Sequence, residues 1–344
     1  MAKGNGKGKS RIWTELDFEA DGKQVGYLHL PHSVTRSAYG TIAIPAAVIR
    51  NGKGPSTLLM AGNHGDEYEG QIALCRIMRE LESQDIKGRI IIVPAINLPA
   101  AMAGARVSPI DDLNLNRCFP GDPDGRPTEQ IAWYIETELA PMCQVWVDLH
   151  SGGGSLDYMP YAQVITSGDK TLDRKALDCL EAFGSPNSVI QKFNGQTTMA
   201  NSAARRNKTV YFGTEAGGCA TVNIDGVSLA YEGTLRILAY LGHLSRNCSK
   251  VKIPPPPKKT RWVEIASRDY YVYAPQAGLF EPKVRLGDNV RKGQLYGLVH
   301  YVDDPMREPT PVHFKATGIL SCKRHPGRCE RGDCLGHLVS EVQR

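Results

Sequence analysis

Thr57-Leu58-Leu59-Met60-Ala61-Gly62-Asn63-His64-Gly65-Asp66-Glu67-Tyr68-Glu69-Gly70 reads as a strand, a glycine turn and the opening of a helix. The apolar run up to Ala61 is short, continuous and bounded by glycine, as a strand buried on both faces would be. From Ile72 to Leu81 the apolar residues take helical spacing. Strand, turn and helix make the repeating unit of α/β proteins, and open α/β sheets place their sites beyond the carboxyl ends of strands. His64 and Glu67, three positions apart just past such an end, can therefore converge on one ion.

The alternation continues outward from this stretch. Strands are expected at Ile90 to Pro94, Val145 to Leu149 and Thr209 to Gly213, and helices at Ile131 to Leu139, Leu172 to Phe183 and Leu229 to Leu244, with Gly184 placed to end the second. That pattern predicts an α/β domain with a mostly parallel sheet flanked by helices, over residues 51–250. Residues 13–50 alternate in β fashion (Val25, Tyr27, Leu28, Leu30, then Ile42, Ile44) and predict an antiparallel lead-in. Residues 1–12, MAKGNGKGKSRI, are glycine-rich with four basic residues and no acid, a composition that predicts a disordered basic tail.

Pro254-Pro255-Pro256-Pro257 followed by Lys258 and Lys259 marks a stiff linker over 251–259. Beyond it, residues 260–344 carry short β patterns with glycine turns: Tyr270-Tyr271-Val272-Tyr273, Gly278-Leu279-Phe280, and Gly287 to Leu295. They predict a smaller C-terminal β-barrel or sandwich that caps the catalytic region. The piece Gly287-Asp288-Asn289-Val290-Arg291-Lys292-Gly293-Gln294 looks like half of a biotinyl- or lipoyl-carrier fold. The cofactor-bearing lysine in its hairpin is not matched, so a structural cap is the expectation.

The chain has 344 residues and a formal net charge of +5, and without the basic tail its balance is near neutral. Overall charge thus argues for neither nucleic acid nor a membrane surface as partner. No apolar run reaches the roughly 18 residues of a spanning helix, and the N-terminus has no signal-peptide core, so a cytoplasmic address is expected. Nine cysteines, an odd number scattered along a long chain, fit free thiols better than a disulfide framework.

Four segments carry chemistry. The first is the His64/Glu67 turn. The second is Val145-Trp146-Val147-Asp148-Leu149-His150, followed by Ser151-Gly152-Gly153-Gly154, which sets another histidine at a strand end. Two imidazoles and one carboxylate form an open catalytic zinc set with a fourth position left for water. The third, Asp112-Leu113-Asn114-Leu115-Asn116-Arg117-Cys118-Phe119-Pro120-Gly121, offers Arg117 beside Asn116 as a bidentate carboxylate clamp. A surface arginine paired with Asp111 or Asp112 is the alternative. The fourth, Thr214-Glu215-Ala216-Gly217-Gly218, puts Glu215 at a further strand end. There it can shuttle a proton in amide hydrolysis, or it can simply be a turn acid. Cys322, His325, Cys329, Cys334 and His337 lie close in sequence, but their spacing matches no standard zinc module.

Together Gly62-x-His64-Gly65-x-Glu67, Asn116-Arg117-x-Phe119-Pro120, Asp148-Leu149-His150 and Glu215-x-Gly217 resemble the succinylglutamate desuccinylase and aspartoacylase family, whose fold is that of the zinc carboxypeptidases. The resemblance implies one Zn2+ per chain on His64, Glu67 and His150. It implies a substrate carboxylate held by Asn116 and Arg117 with Arg106 as a second clamp, and Glu215 as general acid/base. The substrate class it implies is a small N-acyl amino acid. The stretch Ser108 to Gly121 resembles most closely the branch that releases acetate from Nα-acetyl-2,4-diaminobutyrate in ectoine breakdown. Acetylaspartate or succinylglutamate remain open, as does a metallocarboxypeptidase, although a cap over the site would exclude long peptides. A dead hydrolase serving as a carrier module is disfavoured by the intact His64, Glu67, His150 and Glu215. For a substrate ammonium, Asp157 and Asp225 are both candidates. Tyr270, Tyr271 or Tyr273 could complete the pocket from the C-terminal side. Family members are often oligomeric, which leaves a homo-oligomer open.

Overall fold

The computed structural model describes residues 8–192, 195–245, 248, 250–257 and 259–343. Ser56–Ala61 lies at the centre of a long sheet, parallel to Gly88–Val93 on one side and to Val145–Leu149 on the other. The next strand across, Val210–Glu215, is again parallel, with Phe212 opposite Val147. Alternate side chains of these strands serve opposite faces. Leu59, Ala61, Ile90, Ile92, Val147 and Phe212 join one core. Leu58, Met60, Ile91, Val93 and Trp146 join the other. The helices Tyr68–Glu80, Lys170–Phe183 and Ile224–Tyr240 contribute residues to the first core, and Pro127–Tyr134 and Ala200–Arg206 to the second.

Leu59 is fully buried at the centre of this layer. Leu59→Ala is expected to cost about 2–5 kcal/mol, from lost burial plus an unfilled cavity. A urea titration would read this as a lower midpoint with unchanged slope, and a loss under ~1 kcal/mol would mean the layer can collapse around the gap.

Helix ends follow local chemistry. Gly184 takes a left-handed conformation (φ 70°) and closes Lys170–Phe183. The helix expected from Leu229 begins earlier, at Ile224, because the Asn223 side chain accepts from the Gly226 N–H at 2.8 Å and caps it.

The sheet is mixed, which corrects the expectation of a mostly parallel one. Tyr161–Ile165 follows Val145–Leu149 with no intervening helix to carry the chain over the sheet. It therefore returns antiparallel against Val210–Glu215, with Gln163 opposite Gly213. The helix Lys170–Phe183 then provides a crossover, and Asn187–Gln191 pairs parallel to Tyr161–Ile165. At the other edge the antiparallel hairpin of Gly22–Pro31 and Thr41–Asn51 joins the sheet through Gly88–Val93. Of the expected tail 1–12, residues 1–7 lie outside the described residues, Ile12 is buried in the second core and Arg11 pairs with Asp124 at 2.6 Å.

The C-terminal strands are antiparallel. Gly278–Pro282, Leu295–His300, Thr310–His313 and Arg328–Cys329 form a four-stranded sheet. Gly318–Arg324 and Cys334–Glu341 pair with each other, and through Arg261–Glu264 they extend the long sheet. Tyr296, Phe280, Phe314, Leu320 and Leu335 fill the core of this region. Gly318–Arg324 also pairs with Leu156–Tyr158, bringing Cys322 opposite Tyr158. The C-terminal region thus supports a segment that follows His150 by only a few residues. All nine cysteines are free. Among the described residues no helix is long and apolar enough to cross a membrane.

Candidate active site

Three neighbouring parallel strands deliver the site. Met60 pairs with Asp148 and Asp148 with Gly213, so the loops after Ser56–Ala61, Val145–Leu149 and Val210–Glu215 leave the sheet at one level. In the first loop a Cβ on Gly65 would stand 2.0 Å from the Ala100 carbonyl, and one on Gly62 (φ 67°) would stand 2.8 Å from the Ala95 Cα. Only glycine lets this loop lie against the Leu98–Ala103 helix.

His64, Glu67 and His150 meet there, all buried, with one ligand atom from each within 4.8 Å of the others. Glu67 sits between the two rings: Oε1 lies 2.6 Å from His64 Nδ1 and Oε2 2.9 Å from His150 Nδ1, and Oε2 also accepts from the Ser151 N–H at 3.1 Å. Each ring turns its other nitrogen to an acceptor. His64 Nε2 is 3.1 Å from Asn114 Oδ1. His150 Nε2 is 3.0 Å from Asp148 Oδ2, a charge contact not aligned as a hydrogen bond. Asp148 Oδ2 also accepts from the Tyr211 hydroxyl at 2.9 Å. The Asn114 bond to His64 Nε2 favours the tautomer whose Nδ1 would serve as a metal ligand, whereas Asp148 faces His150 Nε2 as a charge only.

Burial by itself would raise the Glu67 carboxyl, yet the charges of His64 and His150 and their hydrogen bonds hold it well below the usual carboxylate range. Burial opposes charge on His150, and Asp148 and Glu67 outweigh it and push its pKa well up. A carboxylate held in its ionised form between two imidazoles is a donor set that suits a divalent cation of the zinc type. Among the described residues it is the one such group of three or more converging ligands. Cys322, His325, Cys329, Cys334 and His337 do not form another.

Glu215 ends its strand beside this group, in a cavity of about 320 Å³ that His64, Glu67, Arg106, Arg117 and Tyr158 also line. Burial, then the Glu67 charge, pushes its carboxyl up to about 8. Its Oε1 accepts from Gln163 Nε2 at 3.2 Å, and its Oε2 has no partner among the described residues. Arg106 Nη1 is 3.4 Å from Glu67 Oε1, with the side chain 43% exposed. The Arg117 guanidinium is lowered by partial burial and by the nearby Arg106 charge. Two cations on one wall suit a carboxylate. Asp111 instead accepts from the Thr128 backbone N–H and hydroxyl, both at 2.8 Å. Asn116 lines the cavity and its Oδ1 accepts from the Ala200 N–H at 2.9 Å, holding the Ala200–Arg206 helix over the pocket.

All seven residues singled out from sequence therefore line one cavity, whereas Asp157 and Asp225 do not. Asp157 lies 3.6 Å from Lys323, and Asp225 lines a separate groove near Leu229. Tyr270, Tyr271 and Tyr273 are absent from the lining as well. The C-terminal region acts on the pocket through Tyr158, whose strand it pairs. Sequence reasoning missed Tyr158, Gln163, Asn201 and Tyr211, which sit in ordinary strand or helix patterns with no motif to mark them.

The sequence model of the succinylglutamate desuccinylase/aspartoacylase catalytic domain matches residues 53–241. The chain is 38% identical to the N-alpha-acetyl-L-2,4-diaminobutyric acid deacetylase of Halomonas elongata, over 97% of this chain and 96% of that one. Among solved structures it is similar to the product-bound ectoine utilization protein EutE (DoeB) from Ruegeria pomeroyi (TM-score 0.92, 36% identity, 97% and 99% of the two chains). A succinylglutamate desuccinylase/aspartoacylase from Rhodobacter sphaeroides is similar too (TM-score 0.90, 37% identity, 97% and 100%).

Proposed function

The chain belongs to the succinylglutamate desuccinylase/aspartoacylase family, and from that premise we propose that it is an amidohydrolase that splits Nα-acetyl-2,4-diaminobutyrate into acetate and 2,4-diaminobutyrate. The observation that carries this reading is one cavity holding the His64–Glu67–His150 donor set, the buried acid Glu215 and the Arg106/Arg117 pair, in a chain similar along its whole length to a deacetylase of that compound.

His64, Glu67 and His150 would hold one Zn2+, which when bound acidifies a water and polarises the acyl carbonyl. Asn114 and Asp148 hold the two rings with Nδ1 turned to the centre. Arg106 and Arg117 bind the substrate carboxylate and so aim the amide at Glu215. Glu215 takes a proton from the attacking water. As the new C–O bond forms and the C–N bond breaks, it passes that proton to the leaving nitrogen, giving acetate and the free amine. A cytoplasmic address suits a catabolic enzyme with nine free thiols.

The test is acetate and amine release from Nα-acetyl-2,4-diaminobutyrate, acetylaspartate and succinylglutamate, before and after chelation and again after zinc is restored. Preference for the first, lost and regained with the metal, supports the reading. Preference for another compound overturns the substrate while keeping the chemistry, and no hydrolysis of any overturns both. Arg117→Ala is expected to raise KM about 10–100-fold with kcat within a few-fold, the loss of a charged hydrogen-bond pair to a carboxylate made in both ground and transition state. A fall in kcat at constant KM would remove Arg117 from the binding wall.

A further inference from the structure

Glu215, Gln163 and Gln191 form a row across three adjacent strands. Gln163 is paired with Gly213, two residues before Glu215, and with Val189, two residues before Gln191. Residues two apart in a strand share a face, so the three side chains stand on the same side of the sheet as diagonal neighbours. Gln191 Nε2 donates to Gln163 Oε1 at 2.6 Å, and Gln163 Nε2 donates to Glu215 Oε1 at 3.2 Å. We propose that Gln163, held by Gln191, is a positioning residue that fixes the Glu215 carboxyl in one orientation and keeps its Oε2 as the oxygen that carries the catalytic proton. This inference rests on the proposed role of Glu215.

An ionised carboxylate only accepts hydrogen bonds, whereas an amide presents an oxygen on one side and an NH2 on the other. Were Gln163 free to flip, its carbonyl could face Glu215 and repel it. Gln191 donates to that carbonyl, and the pair of bonds then runs in the one direction that the acceptor-only Glu215 carboxylate allows, with the Gln163 NH2 on Oε1. The torsion that turns a glutamate carboxyl is broad and two-fold and cannot by itself hold one oxygen in place. The bond from Gln163 does so, and it serves both protonation states. Oε1 accepts from the amide when Glu215 is ionised and still accepts when the carboxyl is protonated. The proton is thereby assigned to Oε2, which has no protein partner among the described residues. A base that becomes an acid within one turnover must return its proton from the oxygen that took it, without spinning between the steps.

The test uses Gln163→Met, which keeps the volume and removes the donor, in the zinc-loaded enzyme. Its kcat is expected to fall about tenfold, the size of one hydrogen bond to a charged group, with KM and metal content unchanged. In a Glu215→Gln background the same substitution should leave the residual rate unaltered, because there is no proton transfer left to orient. Gln191→Met should give a smaller loss that is not additive with Gln163→Met, as expected for residues in one network. A rise in KM at constant kcat would overturn the proposal in favour of a direct substrate contact. A tenfold loss that persists in the Glu215→Gln background would overturn it in favour of general support of the fold. If Gln163→Met fails to fold, Gln191→Met decides alone by the same two measurements. Should Glu215→Gln itself prove fully active, the premise fails rather than this inference.

Discussion

Glu215→Gln is expected to lower kcat by about 10²–10⁴-fold, the usual worth of a positioned general acid/base, without loss of metal from the zinc-loaded enzyme. Glutamine fills the same space but neither takes the proton from the water nor gives one to the leaving amine. The proposed metal donors His64, Glu67 and His150 are untouched, so metal content measured beside acetate release separates this loss from a loss of zinc. Full activity in the variant would remove Glu215 from the mechanism. The same substitution has a signature in stability. In the metal-free protein burial and the Glu67 charge raise the Glu215 carboxyl from 4.5 to about 8. The folded state therefore binds a proton that the unfolded chain releases at lower pH. Stability is lost as pH rises from about 4.5 to about 8, the interval in which folding retains that proton. Metal-free Glu215→Gln should melt close to wild type near pH 4 and above it near pH 8. Parallel melting curves across that range would show that Glu215 is not held protonated. A bound divalent cation would pull this carboxyl back down, so the contrast should shrink in the zinc-loaded protein.

His150→Ala is expected to have the second large effect, with the metal lost together with the activity. Removing one of the three proposed ligands leaves Glu67 with a single imidazole partner, and its buried charge, now half compensated, no longer closes a site. Metal content after dialysis should fall from one ion per chain to near zero, and turnover to background. Asp148→Asn provides the graded comparison. Asp148 reaches the ring of His150 from behind, at 3.0 Å from Nε2, so the substitution should weaken metal binding by about 10–100-fold without abolishing it. Retention of stoichiometric metal by His150→Ala would mean that the ion is held elsewhere.

The sequence determined the alternation of strands and helices from Thr57 to Leu149 and the Lys170–Phe183, Val210–Glu215 and Ile224–Tyr240 elements beyond it, but not the strands Leu156–Tyr158, Tyr161–Ile165 and Asn187–Gln191 or the short helices Leu98–Ala103 and Ala200–Arg206. The reason is local: a strand buried on both faces must be a continuous apolar run, as Leu58 to Ala61 and Val145 to Val147 are, and a helix over it must repeat its apolar residues every three or four positions. It also determined the parts of the site that lie just past strand ends, His64, Glu67, His150 and Glu215. Glycine turns after apolar runs mark such ends, and the chemistry of side chains placed there needs no knowledge of their neighbours.

Only the tertiary structure decided what depends on strand order. Pairing directions are set by how each connection crosses the sheet. The sheet is mixed because the segment between His150 and Tyr161 has no helix to carry it across, a fact that composition does not record. Tyr158 reaches the pocket because a strand some 160 residues later, Gly318–Arg324, pairs with its backbone. Gln163 and Gln191 acquire a relation to Glu215 through register alone: each is an unremarkable polar residue in a strand until three strands lie side by side. Side-chain type and spacing encode what a residue can do, but which residues act on one another is fixed by long-range hydrogen bonding between strands, and that information is spread over the whole chain.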